Sequence, residues 1–267
     1  MSAPSHLSRY FQRTGQVIGK TISDIVQMRG VEGPIRTPRT VFTFSSAADI
    51  AQYATGCDGD IGGQSTVHLD LDERPEVNKS IGKQATGVFW GDMRLTPKKG
   101  MEGKIRPGYA GFRNMNRPTM FGNLLEDASA HEYLALRLRL AGDPQTHSSY
   151  YVNIQTDGPI QTDLWQHRLF FKKKDNIWED IFIPFRSFVR TNRGEMAETQ
   201  LPMSTEKIRS IGISMLGGNS NVEGSYELGI DEIRFVNEAE VAAAEESGGE
   251  DLGLGLGLGL DEKARSA

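Results

Sequence analysis

Between Tyr133 and Leu140 the chain reads Tyr-Leu-Ala-Leu-Arg-Leu-Arg-Leu, which puts four leucines on one side of an extended backbone and Tyr133, Ala135, Arg137 and Arg139 on the other. A helix would scatter these leucines around its circumference, whereas a strand gathers them on one face and leaves the other wet. The same period of two returns at Tyr150, Val152 and Ile154, at Ile211, Ile213 and Met215, and at Tyr226, Leu228 and Ile230. Thr40–Phe44, Thr66–Leu71, Ala85–Trp90, Trp165–Lys172 and Trp178–Ile183 complete a set of about nine strand segments. Between them lie turn-forming runs such as Gly142-Asp143-Pro144, Asp157-Gly158-Pro159 and Gly217-Gly218-Asn219. The expected fold is all-β, a β-sandwich or jelly roll over residues 40–236 whose two inner faces bury the alternating apolar sets. Within this domain helix is expected only as short turns near Ala47–Ala54, where Ser46 can cap, and Pro184–Val189.

The 267 residues carry a formal net charge of −5, and that charge is unevenly divided. Residues 1–39 hold six basic side chains against Asp24 and Glu32. Here Leu7, Tyr10, Phe11, Val17, Ile18, Ile22, Ile25 and Val26 recur at three- and four-residue steps, with Arg9, Arg13 and Lys20 among them, so a basic amphipathic helix is expected. Gly30, Gly33, Pro34 and Pro38 then stop it and make a linker. Residues 237–267 hold eight acids against Lys263 and Arg265 and end in a Leu/Gly repeat, Leu252–Leu260. Glycine at every second position removes cross-strand packing and adds backbone entropy to be lost, so this acidic tail is expected to be disordered. No apolar run approaches the roughly 18 residues that cross a bilayer, and no secretory signal is expected.

No catalytic grouping emerges from the sequence. His6, His68, His131, His147 and His167 do not share a metal-binding spacing, and the single cysteine, Cys57, excludes an internal disulfide. Asp58-Gly59-Asp60 opens like a calcium loop, but Gly62 and Leu69 stand where further ligands are required. Glu179 and Asp180 are adjacent and leave a strand on opposite faces, unsuited to flank one glycosidic bond. No phosphate-binding turn follows any strand. The expectation is a protein without catalytic residues, metal or cofactor.

What remains is surface charge. From Arg94 to Arg117, Arg94, Lys98, Lys99, Lys104, Arg106, Arg113 and Arg117 face only Glu102, in a stretch punctuated by Pro97, Gly100, Gly103, Pro107 and Gly108. This reads as a long basic connection able to steer toward an acidic protein face or anionic lipid. Nucleic acid is not expected, since no aromatic stacking ladder accompanies the charges. The candidate partner-binding residues are therefore Tyr10, Phe11, Arg13 and Lys20 on the helix, with Lys98, Lys99, Lys104, Arg106 and Arg113 on the connection.

Several short runs, taken in order, add a family. Asp60-Ile61-Gly62-Gly63-Gln64-Ser65, then ATGVFWGDM at Ala85–Met93, YAGFRNM at Tyr109–Met115, WEDIFIPFRSF at Trp178–Phe188, and IRSIGISM with YELGIDEIRF ending at Phe235 together resemble the complex I intermediate-associated protein 30 family. The resemblance covers about residues 40–236. It implies a galactose-binding-like jelly roll, similar to carbohydrate-binding modules, and a non-enzymatic assembly chaperone on the matrix side of the mitochondrial inner membrane. Its implied partners are complex I subunits of the membrane arm and other assembly factors. In physical terms the motif residues read as scaffold: Gly62 and Gly63 permit a tight turn, Pro184 ends a strand, and Trp178 and Phe185 fill core space.

Two other functions carry sequence features of their own. A carbohydrate-binding module would use Trp90, Tyr150, Tyr151 and Trp165 as apolar platforms. A membrane-surface adaptor would use the first helix, with Arg13 and Lys20 against anionic lipid.

Overall fold

A computed structural model describes residues 6–26, 36–173, 175–192 and 194–253. Its strands in chain order are β1 Arg39–Thr43, β2 Tyr53–Cys57, β3 His68–Asp72, β4 Thr86–Met93, β5 Tyr109–Asn114, β6 Pro118–Thr119, β7 Gly122–Asn123 and β8 Tyr133–Gly142. They continue as β9 Tyr150–Thr156, β10 Asp163–Arg168, β11 Trp178–Pro184, β12 Val189–Asn192, β13 Glu195–Met196, β14 Ile208–Leu216 and β15 Gly224–Val236. The α-helices are α1 His6–Val26, α2 Ala47–Ile50, α3 Pro75–Asn78, α4 Gly217–Ser220 and α5 Glu238–Gly253. The Ser46 hydroxyl caps α2 by accepting the Asp49 N–H, and Phe185–Ser187 forms a single 3-10 turn.

Two antiparallel sheets pack face to face. One has the order β11-β8-β15-β4-β3, with β1 pairing β15 beyond the end of β4; the other has the order β13-β12-β10-β9-β14-β5-β2. Leu134, Leu136, Leu138 and Leu140 of β8 lie in one buried cluster with Tyr150, Val152 and Ile154 of β9 and Ile211, Ile213 and Met215 of β14. The strands read from period two thus meet across the sandwich, because alternation leaves each sheet one face that must leave water.

The opposite face of β8 is not wet as expected. Ala135 is buried against Val236 and Val241, and Arg139 is only 1% exposed. The guanidinium donates to Glu227 at 2.7 Å and Asn176 at 2.9 Å and lies 3.5 Å from Asp72. Arg74 closes the set, binding Asp72 at 2.7 Å and Glu227 at 2.8 Å. Burial pushes both carboxyls up, but the hydrogen bonds and charges of the two arginines outweigh it and hold both below their ordinary values. Alternation reports which face a residue takes, but not that four charges there neutralise one another and that two of them, Arg139 and Asp72, are covered.

A second correction concerns the end of the chain. Glu238–Gly253 is helical, where disorder was expected from 237, and Val241 anchors it on Ala135 and Val236. Most of the Leu/Gly repeat lies outside the described residues.

Candidate docking surface

The first helix carries its apolar residues on one stripe, as its sequence requires, and seats one edge of that stripe on the β6–β7 hairpin. Thr14 makes the joint: it is buried, its hydroxyl donates to the Tyr10 carbonyl at 3.0 Å and accepts the Met120 N–H at 3.3 Å. Of the described side chains on the stripe, Phe11 is 59% exposed, with Leu7 and Ile18 exposed beside it. The hairpin turn adds Met120 and Phe121, the latter 69% exposed. That turn is pinned by Thr119, whose hydroxyl donates to the Gly122 carbonyl and accepts the Phe121 N–H, while Gly122 takes φ 106°. A rigid turn presenting two large apolar side chains beside an exposed helical stripe is the kind of patch that marks an interaction site.

Cations border this patch. Arg13 lies in the positive field of Arg117 and Arg9, and burial together with those charges lowers its guanidinium pKa. Arg117 itself is structural, bonded to Glu126 at 2.7 Å and seated over the Phe42 ring. The Lys20 side chain lies outside the described residues.

The basic connection is shorter than expected, because Tyr109–Asn114 is a strand, and Arg113 therefore stands on β5 rather than in a loop. Its true extent, 94–108, is tied down at several points. Lys98 donates to the Gly59 carbonyl at 3.2 Å, Lys104 to the Gly100 carbonyl at 3.0 Å, and Arg106 lies 3.9 Å from Glu195; Lys99 is exposed. The loop enters β5 at Tyr109, whereas the hairpin and α1 follow its other end at Asn114. Lys98, Lys99, Lys104 and Arg106 thus precede one end of β5, while Arg113 stands beside Asn114 at the end from which the hairpin and α1 follow.

Asp58, from the rejected calcium-like run, roots that loop. It is 1% exposed and accepts the Ser65 N–H and hydroxyl at 2.9 and 3.0 Å, the Tyr109 N–H at 3.3 Å, and the Gly108 N–H. A Cβ at Gly63 would stand 2.3 Å from its carboxylate, and Gly62 takes φ 112°, so both glycines act as scaffold. Asp58→Ala is expected to lower stability by about 2–3 kcal/mol, since several buried donors lose a charged acceptor. Amide exchange should accelerate through 94–108 while β8 and β15 stay protected; unchanged exchange in the loop would refute this role.

Nothing in the remaining candidates assembles a reaction centre. Burial, partly offset by N–H bonds and reinforced by the Asp60 charge, pushes the Cys57 thiol up. Glu179 accepts the N–H groups of Lys172 and Lys173, while Asp180 binds Arg137 and Arg234. Among the described residues no three His, Cys, Asp or Glu side chains could hold a metal ion. The four aromatics offered as a sugar platform are dispersed: Tyr150 and Trp165 are core, and Tyr151 faces out from the seven-stranded sheet. Trp90 lies on the other sheet, stacked on His68 at 4.3 Å with its indole N–H on Asp70.

The comparisons decide the family. A sequence model described as Complex I intermediate-associated protein 30 matches residues 42–230, nearly the whole sandwich. The chain belongs to that family. A Neurospora crassa relative named Complex I intermediate-associated protein 30, mitochondrial, is 31% identical over 252 residues, covering 89% of this chain and 87% of its own. A Mus musculus relative of the same name is 27% identical over 215 residues, covering 78% of this chain and 60% of its own length. Among solved structures, the family 11 carbohydrate-binding module of the Clostridium thermocellum cellulase Lic26A-Cel5E matches 77% of this chain and 98% of its own, with TM-score 0.51 and 13% identity. The fold of this chain is thus the galactose-binding-like jelly roll that the short motifs implied. Met120 and Phe121 lay outside those motifs; the only sequence signal for them is two large apolar residues within the turn-forming run Pro118 to Asn123.

Proposed function

We propose that this protein is a non-enzymatic assembly factor for mitochondrial respiratory complex I. It works at the matrix face of the inner membrane, holding membrane-arm intermediates together with other assembly factors. The name of its relatives supports the complex. The observation that carries the mode of action is the uncovered stripe of Leu7, Phe11 and Ile18 continued by Met120 and Phe121, with Arg9 and Arg13 beside it. No described helix is long and apolar enough to cross a membrane, so this patch would act by lying against a surface. Exposed apolar area supplies adhesion, and the arginines favour anionic lipid or acidic protein margins.

A photo-reactive residue placed at Phe121 tests this in intact mitochondria. Crosslinks to membrane-arm subunits of incomplete complex I, absent from the finished complex, are expected. Normal complex I in a deletion strain, with the protein recovered free of those subunits, would overturn the reading. The membrane-adaptor reading rests on the same patch and describes how the assembly factor is held in place.

A further inference from the structure

The outer face of the sheet β11-β8-β15-β4-β3 holds an open cavity of about 640 Å³ beside the Arg139 charge cluster. Its position follows from register. Trp90 of β4 stands opposite His68 of β3 on one side and Glu227 of β15 on the other, and Val88 lies two residues along on the same face. Beyond β3 the chain turns through Glu73 and Arg74 into α3, whose Pro75 and Glu76 complete the lining.

Trp90 is fixed on two sides. Its indole N–H donates to Asp70 at 2.8 Å, and its ring stacks on the His68 imidazole at 4.3 Å and 21°. Trp90 is 42% exposed and lines the cavity, whereas His68 does not, so the indole offers the cavity aromatic surface that the imidazole leaves free. Val88 and Pro75 add apolar surface to it.

The charges around this ring do not cancel. Arg74, the cation in the lining, is committed to Asp72 and Glu227, and Arg139, buried beside them, supplies the second positive charge, so those four groups balance. Glu73 and Glu76 are left over: both are exposed, and neither has an ion-pair partner among the described residues. Asp70 adds a third carboxylate next to the indole. Lys79 and Lys83, beyond α3, do not line the cavity, and Lys83 lies 3.3 Å from Asp231.

We infer that this cavity binds an alkylated ammonium group of the kind carried by choline. An anion would meet uncompensated carboxylates. A primary ammonium or a metal ion holds its water tightly and gains little from apolar walls, whereas a quaternary ammonium is weakly hydrated, packs its methyl groups on Val88 and Pro75, and is attracted by the indole face. The volume falls within the range of about 300–1,000 Å³ usual for small-molecule sites. The same group occurs free and on the headgroup of a zwitterionic lipid, and the experiment separates the two.

The cavity lies away from α1 and the hairpin, so the proposal neither rests on the α1 patch nor falls with it. The isotopically labelled full chain would be titrated with choline while its indole N–H resonances are followed. Trp165 and Trp178 are buried, so the Trp90 resonance alone is expected to move, with half-saturation on the order of 1 mM. The uncharged carbon analogue of choline, which has the same shape, should bind about tenfold more weakly. Glu73→Gln with Glu76→Gln should weaken choline about fivefold, leave the analogue unchanged, and keep the wild-type melting temperature, since both residues are exposed and unpaired. Trp90→Leu, read from the choline methyl signal, should weaken binding about tenfold. Glycerophosphocholine binding more tightly than choline assigns a lipid headgroup, and binding no more tightly assigns the free cation. Equal affinity for choline and its analogue, movement of the Trp90 resonance by glucose at the same concentration, unchanged choline affinity in the glutamine variant, or no movement up to about 10 mM choline would each overturn the assignment.

Discussion

Arg139→Met is expected to lower the melting temperature by about 10 °C, from a loss of about 3–5 kcal/mol. The magnitude follows from what remains after the change. Asp72 is almost fully buried, and Glu227 loses its 2.7 Å partner, so the variant keeps buried negative charge with only Arg74 to offset it. Arg74→Ala should cost clearly less, because nearly half of that side chain is in water and its contacts are screened. The pH dependence gives a separate readout. Both carboxyls are held below their unfolded values, so the stability they contribute is complete above those values, near pH 4, and is lost as pH falls through the lowered folded values. The gap between wild type and Arg139→Met should therefore narrow below about pH 4 in urea titrations. A variant within 1 kcal/mol of wild type at pH 7, or a gap that does not change with acid, would show that the cluster contributes little.

The double variant Phe11→Glu, Phe121→Glu is expected to lose vesicle binding by a factor on the order of 100, each phenyl group being worth about 1.5–3 kcal/mol if it leaves water at the bilayer surface. Flotation with vesicles containing anionic lipid measures this. Both side chains are exposed, so the melting temperature should not move. Lys98→Glu with Lys99→Glu should have a smaller, salt-dependent effect, since that loop lies at the other end of β5 and its charges act at a distance. Unchanged flotation of the phenylalanine variant would remove the membrane contact from the account.

The nine strands read from periodicity all lie in the sandwich, because those segments alternate large apolar residues with polar ones. Three substantial strands were not legible. Tyr53–Cys57 overlaps the helical turn expected at Ala47–Ala54, since Ala54, Thr55 and Gly56 supply no apolar alternation. Tyr109–Asn114 hid inside a run of basic residues and glycines; its inward side chains are Ala110, Phe112 and Asn114, of which only one is a large apolar group. Val189–Asn192 turns Arg190 inward to Asp163 at 2.6 Å, which no hydropathy pattern would suggest. The helical half of the candidate patch was visible as a stripe, whereas its hairpin half was not, because two apolar residues in a turn have no period.

By itself the sequence determined that two alternating apolar faces must be buried against one another, that the start is a basic amphipathic helix, and to which family the order of short motifs points. These are local or additive properties, legible from spacing and charge along the chain. Only the tertiary structure decided that Arg139 is covered, that Met120 and Phe121 extend the helix stripe, and that Asp58 roots the basic loop. These rest on contacts that join residues 37 to 153 positions apart in the chain. Register is chosen by the packing of the whole sheet and not by any one segment.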